Sequence, residues 1–572
     1  MFSFNSSVGW CKSCKGKGYY IETDENDNLT KVYDKTEINN LICEECQGSR
    51  LNSYVENVYY KKKKITEIIQ YDFSELYDFF KKIKSDSKLK SAEMEILNFL
   101  LYRIKYIIDV GLSYLQISRP TLSLSGGELQ RVKLSSELGS YLTGVCFILD
   151  EPTIGLHPTD NHKIIKTILD LKRKNNTILI IEHDKDFIQS SDFIMEFGPG
   201  AGINGGKVID LLPSNRFLKN SSSVTAQHLN NKINNTGLVK KKNLKDLKFI
   251  EFKNINFRNL KSLNIKFPVN SLTVLTGISG SGKSTLMKNI IKDNLQNKRL
   301  IHCDEVKNQN YIEEIIEVDQ SQIGKSSRSC IASYIDIFDD IRKIFASQLI
   351  SKERGFTSSR FSFNNKEGQC SVCNGLGFIK LSMSFLPEVI VGCEDCETKR
   401  YNSRTLDVKY KGNTIADILN KTIEEVEPLF VNIKKINSKI QLMNKVGLEY
   451  LKLGQSLSSL SGGESQRIKV VTELKKIDKN RSKLYIFDEP SIGLHMNDTR
   501  KLLLLINELI QLGGTVILIE HNTDFWVNAE WIIDIGPGGG KFGGTLMGMG
   551  PPSSIKKIKS PTGNILKKIM SD

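Results

Sequence analysis

The chain has 572 residues, about four times a usual single-domain length, which excludes one small fold and leaves several domains or a repeated unit. Hydrophobic residues at 39% and charged residues at 25% are ordinary for packed globular protein and exclude global disorder. A formal charge of +15 makes a polyanionic partner worth testing and is equally what a Lys-rich proteome produces.

No apolar run approaches the roughly 18 to 20 residues that cross a bilayer. The richest stretch, Leu502 to Leu512, is interrupted by Asn507 and Glu508. The opening Met1-Phe2-Ser3-Phe4-Asn5 lacks a basic leader and a hydrophobic signal core, so a cytoplasmic location without a membrane partner is expected. Eight of eleven cysteines fall into Cys-x-x-Cys pairs, which in a reducing compartment reads as metal ligation. Cys146, Cys303 and Cys330 are left over and expected as small buried or neutral thiols.

In chain order, Phe2-Ser3-Phe4-Asn5 leads into Cys11, Cys14, Cys43 and Cys46, a first four-cysteine module over residues 11–46. A helical subdomain is expected over about 65–145, ending in Leu124-Ser125-Gly126-Gly127-Glu128 with Gln130-Arg131. Asp150-Glu151-Pro152, Glu182-His183 and Gly198-Pro199-Gly200 close a first unit, 1–212. The Asn/Ser/Lys-rich stretch 213–248 reads as a solvated linker, and Lys61 to Lys64 and Lys240 to Lys242 as solvated charge.

The second unit, 249–572, opens with alternating apolar residues and repeats the same motifs in the same order. Phe361-Ser362-Phe363-Asn364 precedes Cys370, Cys373, Cys393 and Cys396, a module over 370–396, and a second helical subdomain runs over about 405–480. Leu460-Ser461-Gly462-Gly463-Glu464, Asp488-Glu489-Pro490, Glu520-His521 and Gly536-Pro537-Gly538 then return.

One motif is single. The counterpart of Gly277-Ile278-Ser279-Gly280-Ser281-Gly282-Lys283-Ser284 would precede Met1. The first unit is therefore expected to be truncated at its front, with a separate chain supplying the phosphate-loop region or the sequence being a truncated gene product.

Gly277 to Ser284 fits the phosphate-loop pattern, and Leu272 to Thr276 reads as its buried strand. Such glycines let backbone N–H groups wrap nucleotide phosphates at a helix start, where Lys283 neutralises charge and Ser284, with Thr285 beside it, can ligate Mg²⁺. The apolar strand Leu484 to Phe487 ends in Asp488, suited to hold magnesium, and Glu489, suited to polarise water. His521, at the end of another apolar strand, could sense the terminal phosphate. Each cysteine tetrad makes a tetrahedral thiolate site for Zn²⁺, with redox chemistry the competitor. Around the second tetrad lie Lys325, Arg328, Lys352, Arg354, Arg360, Lys399, Arg400 and Arg404, interleaved with Phe356, Phe361 and Tyr401. Such a surface suits the phosphates of distorted duplex, and plain solvated charge is the other reading.

Leu-Ser-Gly-Gly-Glu is the signature of ATP-binding-cassette ATPases. The whole order, with Asp319-Gln320-Ser321, Arg354-Gly355-Phe356-Thr357 and Ser382-Met383-Ser384-Phe385-Leu386-Pro387, resembles the UvrA family of damage-sensing ATPases of nucleotide excision repair. The resemblance implies an α/β fold of two cassette lobes in tandem, pairing head to tail, each with an inserted zinc module and a helical signature subdomain. It implies that Lys283, Ser284, Gln320 as the Q-loop glutamine, Asp488, Glu489 and His521 face Ser125, Gly126 and Gly127 across ATP. A half-built second site would hold Asp150, Glu151 and His183 with Ser461, Gly462 and Gly463.

The expected function is a DNA-binding ATPase that is not itself a nuclease, requires ATP, Mg²⁺ and Zn²⁺, and works on double-stranded DNA as a homodimer. Partnership with UvrB is in doubt, because the UvrB-binding region that normally follows the first phosphate loop is missing. The alternative is a UvrA-like paralogue or split half that holds DNA or an intercalated drug without recruiting UvrB. A transporter motor would leave both cysteine modules unexplained.

Overall fold

The computed structural model describes residues 2–19, 42–85, 90–121, 124, 126–139, 142–200, 205–219, 223–230, 235–243, 246–318, 328–383, 386–474 and 482–571. In the first unit a short hairpin, β1 (Tyr59–Tyr60) and β2 (Lys63–Lys64), precedes the helices Phe73–Lys84, Ser91–Asp109 and Gly126–Leu138. Asp72 starts the first of these with a capping box, its side chain accepting from Glu75 N while Glu75 reaches back to Asp72 N. The parallel pair β3 (Cys146–Asp150) and β4 (Thr177–Ile181) follows, and then the antiparallel pair β5 (Phe193–Gly198) and β6 (Lys207–Pro213).

The second unit opens with the long antiparallel pair β7 (Phe249–Phe257) and β8 (Leu260–Pro268), then β9 (Leu272–Thr276), β10 (Glu305–Lys307) and β11 (Glu314–Val318). The hairpin β12 (Phe378–Met383) and β13 (Leu386–Gly392) belongs to the second cysteine module. β14 (Lys483–Asp488), β15 (Thr515–Ile519), β16 (Trp531–Gly536) and β17 (Thr545–Gly550) complete a six-stranded sheet in the order β11-β14-β15-β9-β16-β17. All its pairings are parallel except that of β17.

The near-continuous apolar runs of β9, β14, β15 and β16 suit a parallel sheet covered on both faces. On one face, Val274, Tyr485, Phe487, Val516 and Leu518 share a core with Ile341, Ile440, Leu505 and Trp526 of four different helices. On the other, Leu484, Ile486, Ile517, Ile519, Trp531 and Ile533 meet Ile250, Phe252, Leu286, Met287 and Ile290. The first unit has a separate, smaller core around Leu112, Leu134, Leu138, Leu149, Ile164 and Ile168.

Two expectations change. The stretch read as a solvated linker carries the helices Ser214–Phe217, which lies on β5 and β6 of the first unit, and Val224–Leu229, and from the latter onward it packs on the second unit. Phe217 and Val239 are buried, Asn235 Nδ2 donates to Asp524 Oδ2 at 2.7 Å, and Asn528 Oδ1 accepts from Leu238 N at 2.8 Å. Widely spaced apolar residues hide such packing in a polar window. Lys241 and Lys242 likewise donate to the carbonyls of Val527 and Asn270. Second, Cys146 is exposed, Cys303 half-buried and Cys330 buried. Cys146 stands at the start of β3, on a sheet face that nothing covers among the described residues.

Candidate nucleotide and metal sites

β9 delivers the glycine loop onto a helix that begins at Thr285. Lys283 is folded back, its Nζ donating to Gly277 O at 2.8 Å and Ile278 O at 2.9 Å. Burial pulls its pKa down to about 8, with Glu489 pulling the other way. Burial pushes Glu489 up to about 7; neighbouring Asp488 adds to the rise and Lys283 opposes it. His521 Nε2 lies 3.7 Å from Glu489 Oε1, and burial, then Lys283, hold that imidazole well below its usual range. Glu520 accepts from Ser491 N, His521 N and Asn522 N, fixing the turn that aims His521. Asp488 is held by Lys288 at 3.0 Å, and Gln466 of the signature helix donates to its carbonyl at 2.8 Å.

The first unit closes directly on this cradle. Ser279 Oγ donates to Gly155 O at 3.0 Å, and a Cβ on Gly155 would stand 3.2 Å from Glu489 Oε2. The Tyr114 ring lies against Gly280, where a Cβ would come within 2.5 Å of it. The Tyr114 hydroxyl donates to Glu128 in the signature helix at 2.7 Å. In that helix Arg131 Nε donates to Gly127 O at 3.1 Å, and the guanidinium charge acts on Lys283, Glu489 and His521. Ser281 Oγ, Arg131 Nη1 and His521 Nδ1 are buried here without a hydrogen-bond partner among the described residues. Unsatisfied polar atoms of this kind suit a polyanionic ligand that accepts from them. Ser125 and Gln320 lie outside the described residues.

The repeat holds the same parts less completely. His183 Nε2 is 3.7 Å from Glu151 Oε1, and Gln130 donates to Asp150 O at 2.8 Å. Burial pushes Glu151 up to about 7, aided by Glu182 and Asp150, with no lysine among the described residues opposing it. Ser461 and Glu464 cap the second signature helix reciprocally, Ser461 N donating to Glu464 Oε2 at 2.8 Å and Glu464 N to Ser461 Oγ at 3.2 Å.

Both cysteine tetrads close. In each, the four sulfurs lie within 4.8 Å of one another, and all eight cysteines are buried. Cys11 and Cys43 are 3.8 Å apart, Cys14 and Cys46 3.7 Å, Cys370 and Cys393 3.9 Å, and Cys373 and Cys396 3.7 Å. A tetrahedron with Zn–S bonds of about 2.3 Å has S···S edges of about 3.8 Å, so the donor set fits zinc. Gly18 N and Gly377 N donate to Cys14 Sγ and Cys373 Sγ, as thiolate ligands favour.

Among the basic candidates, Arg328, Lys352, Arg354 and Arg404 are exposed, and Lys325 lies outside the described residues. Arg354 pairs with Asp407 at 2.7 Å and Lys399 with Glu397 at 2.5 Å. Arg360 stacks over Phe356 at 4.0 Å and Arg400 over Phe363 at 5.2 Å. The interleaved aromatic surface is corrected: Phe361 and Tyr401 are fully buried in the main core, where Tyr401 Oη donates to Phe361 O, so neither ring can meet a base.

Gly155 and His157 carried no signal in the motifs, and Tyr114, in the repeated Val110-Gly111-Leu112-Ser113-Tyr114-Leu115, carried none for a contact with the other unit. Tyr114, Gly155 and His157 act across units, and His157 Nε2 meets Thr562 Oγ1 at 3.2 Å over a separation of 405 residues.

The chain is 42% identical over 537 residues to "UvrABC system protein A" of Staphylococcus epidermidis, covering 93% of this chain and 57% of that protein. It is 41% identical to the Staphylococcus aureus protein of the same name, over 93% and 56%. The crystal structure of UvrA2 from Deinococcus radiodurans superposes with a TM-score of 0.85 at 34% identity, covering 92% of this chain and 66% of that one. The chain belongs to the UvrA family. No protein-family model matches it. It spans little more than half the length of the curated UvrA relatives it matches. UvrA likeness establishes the α/β architecture of two cassette-type units, each with a four-cysteine module, as the motif order implied. No helix among the described residues is long and apolar enough to cross a membrane.

Proposed function

We infer that the chain is an ATPase of UvrA type that binds and hydrolyses ATP between the phosphate loop of the second unit and the signature helix of the first, and uses closure of the units to grip distorted duplex DNA. The observation that carries this reading is the joint made by Gly155, whose carbonyl accepts from Ser279 while its missing side chain leaves room beside the Glu489 carboxylate.

ATP with Mg²⁺ supplies the transferable phosphoryl group and the cation that offsets its charge. Lys283 leaves its loop carbonyls to meet the terminal phosphates, and Ser284, Thr285 and Asp488 would hold the cation. Glu489 Oε1 takes the proton of the attacking water, a role that a carboxylate with pKa raised to about 7 performs near neutral pH. His521 beside it orients that water and senses the γ-phosphate. Gly126 and Gly127, with Ser125, cover the phosphates from the opposite unit, so turnover requires the joint to be closed.

The DNA-facing role falls to Arg328, Lys352, Arg354 and Arg404 near the second zinc module, with the stacked Arg360 and Arg400 and the paired Lys399 supporting them. Homodimers with two zinc ions per chain fit this reading. Replacing Glu489→Gln is expected to keep ATP binding while lowering turnover by about 100-fold or more. Unchanged turnover in that variant would remove Glu489 from the mechanism.

A further inference from the structure

The ring of Tyr114, from the first unit, is seated in glycine backbone of the second. A Cβ on Gly280 would come within 2.5 Å of that ring and one on Gly539 within 2.8 Å, while one on Gly540 would stand 3.1 Å from the Tyr114 Cβ. Gly280 belongs to the phosphate loop, and Gly539 and Gly540 to the loop 537–544 between β16 and β17. The two loops make one surface. Gly540 N donates to Gly280 O and Gly544 N to Ser281 O, both at 3.0 Å, and Asn259 Nδ2 reaches Gly280 O at 3.3 Å and Gly540 O at 3.4 Å. Tyr114 is held from its own side as well. Phe73 N donates to Leu115 O at 3.0 Å and Ser74 N to Ser113 O at 3.1 Å, pinning its segment to the start of the helix Phe73–Lys84. Asp72 and Glu75, which cap that helix, take Lys541 from the glycine loop, Asp72 at 3.5 Å. The Tyr114 hydroxyl ends on Glu128 Oε1 in the first turn of the signature helix, and Arg119 Nη2 lies 3.5 Å from the other carboxylate oxygen.

We propose that Tyr114 is a positioning residue that carries nucleotide occupancy of the phosphate loop to the signature helix of the other unit: its ring follows Gly280, and its hydroxyl sets Glu128 and with it the turn that holds Gly126 and Gly127. The proposal deepens the ATPase reading and rests on it. Lys283 must leave the carbonyls of Gly277 and Ile278 to meet phosphate, so the loop rearranges on binding. A ring wedged between Gly280 and Gly539 has no slack and moves with them, because packed contacts transmit displacement rather than absorb it. The hydroxyl bond at 2.7 Å fixes both distance and direction, so Glu128 moves with the ring. The repeat keeps this bond, Tyr450 Oη donating to Glu464 Oε1 at 2.5 Å on the signature helix of the half-built site. That copy is an internal control.

Tyr114→Phe keeps the ring and removes the hydroxyl, and Tyr450→Phe makes the same change in the repeat. Amide hydrogen exchange of Gly126–Leu138 is followed with and without saturating ATP in the full chain carrying Glu489→Gln, a measurement that needs no turnover. ATP is expected to slow this exchange about fivefold or more in that chain and with Tyr450→Phe added, and less than about twofold with Tyr114→Phe added at equal ATP occupancy. With Glu489 restored, Tyr114→Phe is expected to lower kcat about tenfold while KM for ATP stays within about twofold, and Tyr450→Phe to change neither. Glu128→Ala removes the acceptor, and adding Tyr114→Phe to it is expected to cost nothing further, since both remove one bond. Full slowing of exchange with Tyr114→Phe overturns the proposal. So does a rise in KM that accounts for its loss, which would make Tyr114 part of the nucleotide cradle, and so do losses that multiply in the double variant. A chain that binds ATP and slows exchange without ever turning ATP over sinks the ATPase reading and leaves the coupling standing.

Discussion

His157 is fully buried where the two units meet, stacked on Trp526 at 5.3 Å between ring centroids and 6.0 Å from His521. Burial, reinforced by Lys283, lowers its pKa from 6.5 to about 3. Between those values the unfolded chain binds the proton and the folded chain does not. The stability contributed is therefore fully present above 6.5 and is lost as the pH falls through that window, by about 1.4 kcal/mol per pH unit. Urea unfolding followed from about pH 7.5 to 5.5 is expected to show a shallower loss in His157→Gln than in the parent chain; parallel slopes would contradict the assignment. In the proposed mechanism Glu489 and Lys283 set the rate instead. The acid limb of kcat/KM is expected near 7 and the alkaline limb near 8, and Glu489→Gln should erase the acid limb. That Glu489, Lys283 and His521 come together was legible because each ends an apolar strand or a glycine pattern. His157 and Gly155 were not, since their partners lie in the other unit and sequence spacing says nothing of a contact made across it.

At the scale of elements, the two zinc modules differ in what they support. The cysteines of each form a cluster of their own, but the second module joins the main core through Phe361, Phe363 and Tyr401, whereas Phe2, the first module's counterpart of Phe361, is exposed. Metal analysis is expected to give two zinc ions per chain, and Cys373→Ser and Cys14→Ser one each. Cys373→Ser should lower the melting temperature of the whole chain clearly more than Cys14→Ser; equal effects would contradict the packing difference. The cysteine pairs were legible as ligands even with twenty-eight residues between them in the first module, because the repeat supplied the pairing. The burial of residues 213–248 was not legible. Phe217, Ala226, Leu229 and Val239 are too sparse for any periodicity; Phe217 is in a helix that lies on β5 and β6 of the first unit, while Val239 is buried in a core that the second unit builds.

In the whole molecule, two units with the same motif order lean on each other through their strand-end loops. Gly155 reaches Glu489, and a Cβ on Gly493 would stand 3.5 Å from Glu151 in the mirrored contact. The fold class was legible because motif order fixes strand order in a parallel sheet. The closeness of the units came only from the family resemblance and the coordinates. The central claim is that turnover at Lys283 depends on the signature of the other unit, and paired substitutions test it most directly. ATP turnover should be measured for Gly126→Asp and for Gly462→Asp, the latter with no neighbour within 4 Å of its Cβ position among the described residues. A carboxylate placed against the phosphates should lower turnover by about 100-fold in Gly126→Asp and leave it near the parent rate in Gly462→Asp. Loss of turnover in Gly462→Asp with Gly126→Asp unaffected would contradict the composite site.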